Sequence, residues 1–321
     1  MGSIGVEDPT YPPVSGKRTA PEVPAFHNDS VKLEEVIDAL RVAGGCVIRG
    51  AVPVKDVNQI EKDVRPWLDA DVPWEEGGFF PRETRRAHGL AQKSPTYMKS
   101  FVMHPIYQQA CDRILSRTSY PWVGQKREET VSKPQLNTTV IFSIGPGAKP
   151  QDLHRDDMIH HNYVSEDITP DQWTFSREAG IGWFVAGKKT TRANGATRYI
   201  PGSHLWDSEI PPDESLAFYA ELEPGDCFMM LSSCYHAGSA NTTKDEERLV
   251  YCSFMTRGYL RQEENQYLAN DGKVLKELYN NDMEILKLIG WNLSSPFLGW
   301  VDQHHPLKLL YPDLPSNTDL F

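Results

Sequence analysis

The sequence has few cysteines, no long apolar run and a deficit of basic residues, and each shortage excludes a class of protein. Its 5 cysteines form no Cys-x-x-Cys pair, and most of them lie inside apolar segments. We therefore expect buried thiols rather than disulfides, and a reducing, cytoplasmic setting. No apolar run approaches the ~20 residues that a membrane-spanning helix needs. The sequence thus predicts no membrane partner.

The charge balance is acidic. The chain has 33 Lys and Arg against 44 Asp and Glu, which gives a formal net charge of −11. A nucleic-acid surface needs a basic face that displaces counterions from phosphates, so we expect no nucleic-acid partner. The first residues lack the continuous apolar segment of a signal peptide, and the terminal Asp319-Leu320-Phe321 is not a peroxisomal address.

Length and patterning predict one domain. The 321 residues exceed a typical domain, but enzymes built on a double-stranded β-barrel often run this long as a single unit. No internal repeat or low-complexity tract divides the chain. We expect the following parts in order: an extended arm over 1–28, a mainly helical flank over 29–118, a barrel over 135–257, and a helix with a tail over 258–321.

The periodicity of apolar residues distinguishes predicted helices from predicted strands. Helical spacing occurs over 31–40, 54–68, 101–116 and 274–288. Runs rich in β-branched and aromatic residues predict strands at 46–50, 135–144, 181–186, 196–200, 217–222, 227–231 and 249–255. Many short strands separated by turn residues favour an all-β barrel or sandwich.

The segment 69–80 is rich in Trp, Glu, Gly and Pro, which predicts a loop. Such a loop could line the mouth of a binding site. The alternative, which base rates favour, is a surface connection anchored by Trp67 and Trp74.

The most informative stretch is QDLHRDD at 151–157. In an extended segment the side chains at i and i+2 share a face, so His154 and Asp156 can bind one metal ion. His236 offers a third ligand far downstream, and two imidazoles with one carboxylate form the facial triad that suits non-haem iron(II). Taken alone, His154 could equally be a surface loop histidine. A second His-x-Asp pair at 27–29 precedes a helical pattern and indicates an N-cap region.

Arg248 opens the apolar run 249–255. An arginine on a buried strand needs an anionic partner. A small dicarboxylate cosubstrate would supply one through bidentate hydrogen bonds. The alternative is an ion pair with a neighbouring acid, Asp245, Glu246 or Glu247.

Taken together, four ordered blocks resemble the phytanoyl-CoA dioxygenase superfamily of iron(II)/2-oxoglutarate-dependent oxygenases. The closest likeness is to its fungal branch, which acts on secondary metabolites. The blocks are TRR, GL and KSPT within 84–96, QDLHRDD at 151–157, NGATRYIPGSH at 194–204, and HAGSANTT at 236–243 followed by Arg248.

The resemblance implies a fold and a metal site. The fold is mainly β with flanking helices, a double-stranded β-helix that is also called a jelly roll or cupin-like barrel. By the same resemblance His154, Asp156 and His236 bind Fe(II). Arg155 and Asp157 are candidates for orienting these ligands through hydrogen bonds.

The resemblance also implies a cosubstrate site. Arg248 would bind the distal carboxylate of 2-oxoglutarate, and Gln151 and Thr197 would add hydrogen bonds to the cosubstrate. Arg86, or its neighbour Arg85, is a further candidate for 2-oxoglutarate binding.

The implied reaction consumes O2 and 2-oxoglutarate, releases succinate and CO2, and can use ascorbate as an added reductant. Because Asp156 is an acid rather than a small residue, the metal has no vacant position for chloride, which counts against a halogenase. Hydroxylation is the default outcome, whereas desaturation, epoxidation, rearrangement and endoperoxide formation remain open.

The substrate class follows from the resemblance as well. Fungal relatives act on terpenoids, meroterpenoids or alkaloids, and other members act on acyl-CoA thioesters. The acidic chain offers no evident basic site for coenzyme A, so we expect a polycyclic small molecule. An acyl-CoA hydroxylase is the first alternative, and a non-catalytic metal-binding barrel that serves as a partner subunit is the second. The resemblance also leads us to expect a homodimer.

Overall fold

The computed structural model describes residues 18–75 and 79–315. Its helices are α1 (Leu33–Ala43), α2 (Val54–Ala70), α3 (Leu90–Lys93), α4 (Pro105–Leu115), α5 (Gln266–Ala269), α6 (Gly272–Tyr279) and α7 (Met283–Ile289). No helix in the described ranges is long and apolar enough to cross a membrane. Most of the predicted N-terminal arm and the last six residues lie outside the described ranges, and the division into arm, flank, barrel and tail stays a prediction.

The strands outnumber the helices and are mostly short. In chain order they are β1 (Ala25–His27), β2 (Gly45–Arg49), β3 (Thr84–His88), β4 (Arg117–Ser119), β5 (Trp122–Val123), β6 (Lys126–Arg127), β7 (Thr130–Ser132), β8 (Gln135–Ile144), β9 (Gly180–Ala186), β10 (Thr197–Tyr199), β11 (Phe218–Tyr219), β12 (Cys227–Leu231), β13 (His236–Gly238) and β14 (Arg248–Thr256).

Two sheets form the barrel. The larger has seven strands in the order β1-β2-β12-β9-β14-β8-β3, and the smaller has three in the order β11-β10-β13. Every pairing in them is antiparallel except that of β1 with β2. Two further two-stranded ribbons pair β4 with β7 and β5 with β6. The mainly β fold, a jelly roll with flanking helices, is therefore confirmed.

The large sheet is buried on both faces, which explains the unbroken apolar runs of its central strands. On β9 successive side chains point to opposite faces. Trp183 packs towards the helices, where Tyr107 of α4 stacks on it with ring centroids 5.1 Å apart. Phe184 points the other way, into a cavity between the two sheets. Burial of each such side chain contributes about 1.5–3 kcal/mol, and it fixes α4 against the large sheet.

The predicted strands at 135–144 and 227–231 have the predicted bounds, and 249–255 extends by one residue at each end. The predicted strand at 217–222 is shorter, since only Phe218 and Tyr219 pair with β10. Residues 220 and 222 instead form loop hydrogen bonds, Ala220 with Thr197 and Leu222 with Thr190.

Two predicted helices are divided. The span 274–288 breaks into α6 and α7 at Asn280-Asn281-Asp282, three residues that favour caps and turns over helix interiors. The span 101–116 divides into a π-helix, Tyr97–Val102, and α4, which begins at Pro105. Proline is suited to the first helical position because its missing N–H has no intrahelical partner there. The helix after the His-x-Asp pair at 27–29 begins at Leu33, two residues later than predicted, and its N-cap is Lys32, which lies outside that pair.

Glu247, next to β14, anchors an ion-pair cluster. It accepts hydrogen bonds from Arg65 at 2.7 Å, from Lys188 at 2.5 Å and from Ser143. Burial acts to raise the pKa of Glu247, but these donors outweigh it and lower that pKa from 4.5 to about 2. The carboxylate therefore stabilises the fold above pH 4.5, and that contribution is lost as the pH falls towards 2.

We expect Glu247→Gln to lower the free energy of unfolding by about 1–2 kcal/mol at pH 7, after allowance for solvent screening. The difference from wild type should shrink steadily between pH 4.5 and pH 2. Urea denaturation at several pH values measures this difference in unfolding free energy. Glu129→Gln is the control, because Glu129 is exposed. An equal loss of stability at pH 7 and pH 3 would contradict the assignment.

Candidate active site

A cavity of about 170 Å³ lies between the two barrel sheets. Alternation along two long neighbouring strands supplies one wall, because residues at i and i+2 share a face. These are Thr138, Val140, Phe142 and Ile144 on β8, and Arg248, Val250, Cys252 and Phe254 on β14. The rest of the lining includes Phe79, Phe80, His88, Lys149, Gln151, His154, Asp156, Phe184, Thr197, His236 and Glu263.

The predicted metal ligands converge in this cavity. An isolated antiparallel bridge joins His154 to His236, with reciprocal backbone hydrogen bonds of 3.0 and 2.9 Å. Asp156 then opens a 3₁₀ turn, which places its carboxylate beside both rings. Its Oδ1 lies 3.5 Å from Nε2 of His154, and its Oδ2 lies 3.4 Å from Nε2 of His236. All three side chains offer a ligand atom within 4.8 Å of the others.

Both imidazoles are oriented by backbone carbonyls. Nδ1 of His154 lies 2.9 Å from the carbonyl oxygen of Asp152, and Nδ1 of His236 lies 3.2 Å from that of Cys234. A carbonyl can only accept, so each Nδ1 carries the proton and each Nε2 keeps a lone pair for a metal. Sequence reasoning missed these carbonyls, since every residue has one and nothing in the sequence marks them.

The residues predicted to orient the ligands have other contacts. The guanidinium of Arg155 donates to the carbonyl oxygens of Ser203 and Trp206. The carboxylate of Asp157 accepts a hydrogen bond from Asn162 at 2.8 Å. In the structure, the role proposed for Arg155 and Asp157 is thus filled by the backbone.

The Asp156 carboxylate is the centre of the site's electrostatics. Burial acts to lower the pKa of His154, but the hydrogen bond and the charge of Asp156 outweigh it and raise that pKa. Burial lowers the pKa of His236 and favours its neutral form. For Asp156, burial acts to raise the pKa, but His236 and His154 outweigh it and keep the carboxylate ionised. Oδ2 of Asp156 is buried and accepts no hydrogen bond. A buried carboxylate oxygen without a donor, beside two free imidazole nitrogens, is the donor set that Fe(II) binds with open coordination positions.

Arg248 is buried beside this donor set. Its Nη2 donates to Oγ1 of Thr197 at 2.6 Å, while its Nε has no hydrogen-bond partner. Burial lowers its pKa to about 10, and no carboxylate within the described ranges pairs with it. The alternative of a neighbouring ion pair is not realised, since Glu247 binds Arg65 and Lys188. Among the described residues, Arg248 is therefore a buried cation without an anionic partner.

Gln151 lines the cavity and is hydrogen-bonded to the end of β13. Its Oε1 accepts from the backbone N–H of Gly238 at 3.1 Å. Arg198 fixes the same junction, because it donates to the carbonyl oxygens of Gly238 and Gln151, both at 2.7 Å. Sequence reasoning did not single out Arg198, although it lies in the block 194–204 together with Thr197.

Arg86 does not line the cavity. Its backbone and side chain donate to Asp71 at 2.9 and 3.1 Å, and its Nη2 donates to the carbonyl oxygen of Val72. The guanidinium lies 5.2 Å from the ring centroids of both Trp74 and Phe80. Its predicted role in cosubstrate binding stays a prediction, and these contacts do not support it.

Arg86 instead contacts the predicted loop at 69–80. The end of that loop reaches the cavity, where Phe79 packs edge-on against His154 with ring centroids 5.4 Å apart. Trp67 is instead half exposed and packs under Lys93. Phe79 and Phe80, at the end of the loop, therefore line the cavity, which the surface-connection alternative did not foresee.

Comparison with known proteins agrees with this geometry. Residues 40–250 match the sequence model of the family described as phytanoyl-CoA dioxygenase (PhyH). Dioxygenase peniF of Penicillium patulum is 38% identical, over 91% of this chain and 93% of its own. Dioxygenase himG of Aspergillus japonicus is 36% identical, over 91% of this chain and 90% of its own. Among solved structures, the α-ketoglutarate-dependent carbocyclase SnoK from nogalamycin biosynthesis shares the fold, with a TM-score of 0.52, 16% identity, and coverage of 81% of this chain and 98% of its own.

The matches span nearly the whole chain, and the partly buried His-Asp-His cluster supplies the donor set that the resemblance predicts. The chain belongs to the phytanoyl-CoA dioxygenase family, and it is an iron(II)- and 2-oxoglutarate-dependent dioxygenase.

Proposed function

We propose that this dioxygenase oxidises a polycyclic secondary metabolite, such as a terpenoid, meroterpenoid or alkaloid, with release of succinate and CO2. One observation carries the proposal: His154, Asp156 and His236 converge in an apolar cavity that also contains the unpaired cation Arg248. The first three supply a metal site, the fourth an anion site, and the apolar wall a place for a hydrophobic substrate.

In this proposal Nε2 of His154, Nε2 of His236 and the carboxylate of Asp156 hold Fe(II). When bound, Fe(II) and 2-oxoglutarate supply the activation of O2 that oxidises the substrate. The chain's own residues fix the geometry. The carbonyls of Asp152 and Cys234 keep both imidazoles in the metal-binding tautomer.

Arg248 in this proposal binds the distal carboxylate of 2-oxoglutarate. A buried guanidinium with unused donors is suited to a carboxylate, and desolvation strengthens the attraction between them. Thr197 holds the guanidinium through its hydroxyl. Gln151 adds a side-chain amide to the cavity wall nearby.

The cavity wall favours a polycyclic substrate over an acyl-CoA thioester. Five phenylalanine rings contribute to the lining. The described lining contains two basic side chains, Arg248 and Lys149. In this proposal Arg248 binds the cosubstrate, and Lys149 is exposed. The several phosphates of coenzyme A would need more cations than this cavity offers.

Anaerobic loading tests the proposed function. We expect the purified protein to develop a weak visible charge-transfer band when Fe(II) and 2-oxoglutarate are added together without O2, because a bidentate 2-oxo acid on Fe(II) absorbs there. Either component alone should give no band. Admission of O2 should then yield succinate. Absence of both the band and succinate would instead support the non-catalytic barrel.

Two further parts of the proposal concern the protein's setting. All five cysteines are free and buried, which supports a reducing, cytoplasmic compartment. We also propose that the protein acts as a homodimer, which sedimentation equilibrium tests directly, since a monomer at all concentrations would contradict it.

A further inference from the structure

We propose that Glu263 forms a binding site for a protonated amine in the substrate cavity, so that the substrate is a basic amine rather than a neutral terpenoid. The inference rests on the proposed function and names the substrate class within it.

The backbone around Glu263 directs its side chain into the cavity. The backbone N–H of Glu263 donates to Oδ1 of Asn137 at 2.7 Å. The next residue, Glu264, points away, and its carboxylate accepts from the backbone N–H groups of Gly89 and Thr139 at 2.5 and 3.0 Å. Glu263 and Glu264 lie in a bend of the chain. The contacts of Glu264 lock this bend, and Glu263 joins the cavity lining.

Glu263 lies at the other end of the cavity from the cosubstrate site. Its Asn137 contact is near the start of β8, whereas Arg248 pairs with Ile144 at the end of that strand. A ligand of Glu263 would therefore leave Arg248 free for 2-oxoglutarate, and the two sites can be filled together.

The Glu263 carboxylate has no cation to pair with in the described ranges. Its side-chain contact is with Nδ2 of Asn137 at 3.4 Å, and the charges that act on it are those of Asp156 and Glu264, both negative. Lys149 also lines this cavity, and like Glu263 it is exposed; it further borders an outer groove that contains Glu75 and Glu83. Partial desolvation raises the pKa of Glu263 to about 7, and a ligand ammonium would stabilise the ionised form of its carboxylate.

The surrounding rings favour the same ligand. Phe184 and Phe254 pack edge to face with centroids 5.3 Å apart, and both line the cavity with Phe142. Aromatic faces attract organic cations, and desolvation strengthens the effect. Once the site is loaded, the charges of Fe(II) and Arg248 balance those of Asp156 and 2-oxoglutarate. An ammonium beside Glu263 would favour the ionised form of its carboxylate, so this side chain complements a cationic substrate.

Matched ligands test the proposal. Wild-type and Glu263→Gln proteins are loaded anaerobically with Fe(II) and 2-oxoglutarate. They are then titrated calorimetrically with a series of indoles and quinolines, each offered as a basic alkylamine and as its neutral alkyl isostere. Glu83→Gln is the matched control, because it removes a carboxylate from the outer groove without altering the cavity wall. Thermal unfolding verifies that each variant is folded.

In wild type and in Glu83→Gln we expect the amines to bind about tenfold more tightly than their isosteres. In Glu263→Gln that preference should disappear while binding of the isosteres is unchanged. Equal binding of amine and isostere to wild type, including no binding of either throughout the series, would overturn the amine site. A preference that survives in Glu263→Gln would also overturn it. The charge-transfer band on loading separates the two proposals, since its absence refutes the oxygenase site itself.

Discussion

Asp156→Ala is expected to abolish iron binding and succinate formation together. Loss of the carboxylate leaves two imidazoles, and a two-ligand site holds Fe(II) weakly in competition with water. Changes in residues that only orient metal ligands cost about 10–100-fold in metal affinity, so removal of a ligand should cost more than ~100-fold. Isothermal titration with Fe(II) under anaerobic conditions measures the loss directly, without dependence on any substrate.

Asp157→Asn is the matched control for this experiment. Asp157 is the adjacent acid, but its carboxylate contacts Asn162 rather than the metal ligands. We expect this variant to keep its iron affinity, and the 2-oxoglutarate band should form as in wild type. Wild-type iron binding in Asp156→Ala, or its loss in Asp157→Asn alone, would show that the ligand assignment is wrong.

The metal site illustrates which parts of the structure are predictable from sequence. The pairing of His154 with Asp156 follows from the side-chain period of an extended segment, which is a local property. The meeting of His154 and His236 is not local, because it depends on an antiparallel bridge between segments some 80 residues apart. The sequence offered His236 as a candidate third ligand, but its pairing with His154 was supported only by the resemblance to a known family, since strand registry is set by the whole barrel.

The same distinction explains the errors in the fold prediction. The strand at 135–144 is dense in β-branched residues and buried on both faces, so local pattern and tertiary packing agree. The pattern at 217–222 is equally strand-like, but its neighbour β10 is only three residues long. The extent of an edge strand depends on its partner, and this dependence is absent from local sequence.

Arg86 and Glu263 show that the direction of an individual side chain is not predictable from local sequence. Arg86 lies in a block that resembles the family, yet its direction is set by Asp71, fifteen residues earlier. Glu263 lies in an acidic, polar segment that gave no sign of a site, and its neighbour Glu264 is the one used structurally. Which of two adjacent acids faces a cavity depends on the packing of the chain around them.

Arg248→Met is expected to separate cosubstrate binding from iron binding. Removal of one partner from a buried, hydrogen-bonded charge pair costs 2–5 kcal/mol, so 2-oxoglutarate should bind more than ~30-fold more weakly. The iron ligands are untouched, and Fe(II) affinity should therefore match wild type. Anaerobic titration of 2-oxoglutarate into the Fe(II)-loaded protein, followed by the charge-transfer band, measures the change.

The thermal stability of Arg248→Met distinguishes a role of Arg248 in cosubstrate binding from a role in the fold. Without 2-oxoglutarate, Arg248 is a buried cation with no carboxylate partner in the described ranges, so its replacement by an apolar side chain should leave the melting temperature unchanged or raise it. Wild type should be stabilised by 2-oxoglutarate in the presence of Fe(II), because a ligand that binds only the folded state shifts unfolding. Arg248→Met should lose that stabilisation, and Arg248→Lys should keep part of it, since lysine retains the charge but not the bidentate geometry. A lower melting temperature for unliganded Arg248→Met would instead indicate that the arginine supports the barrel itself.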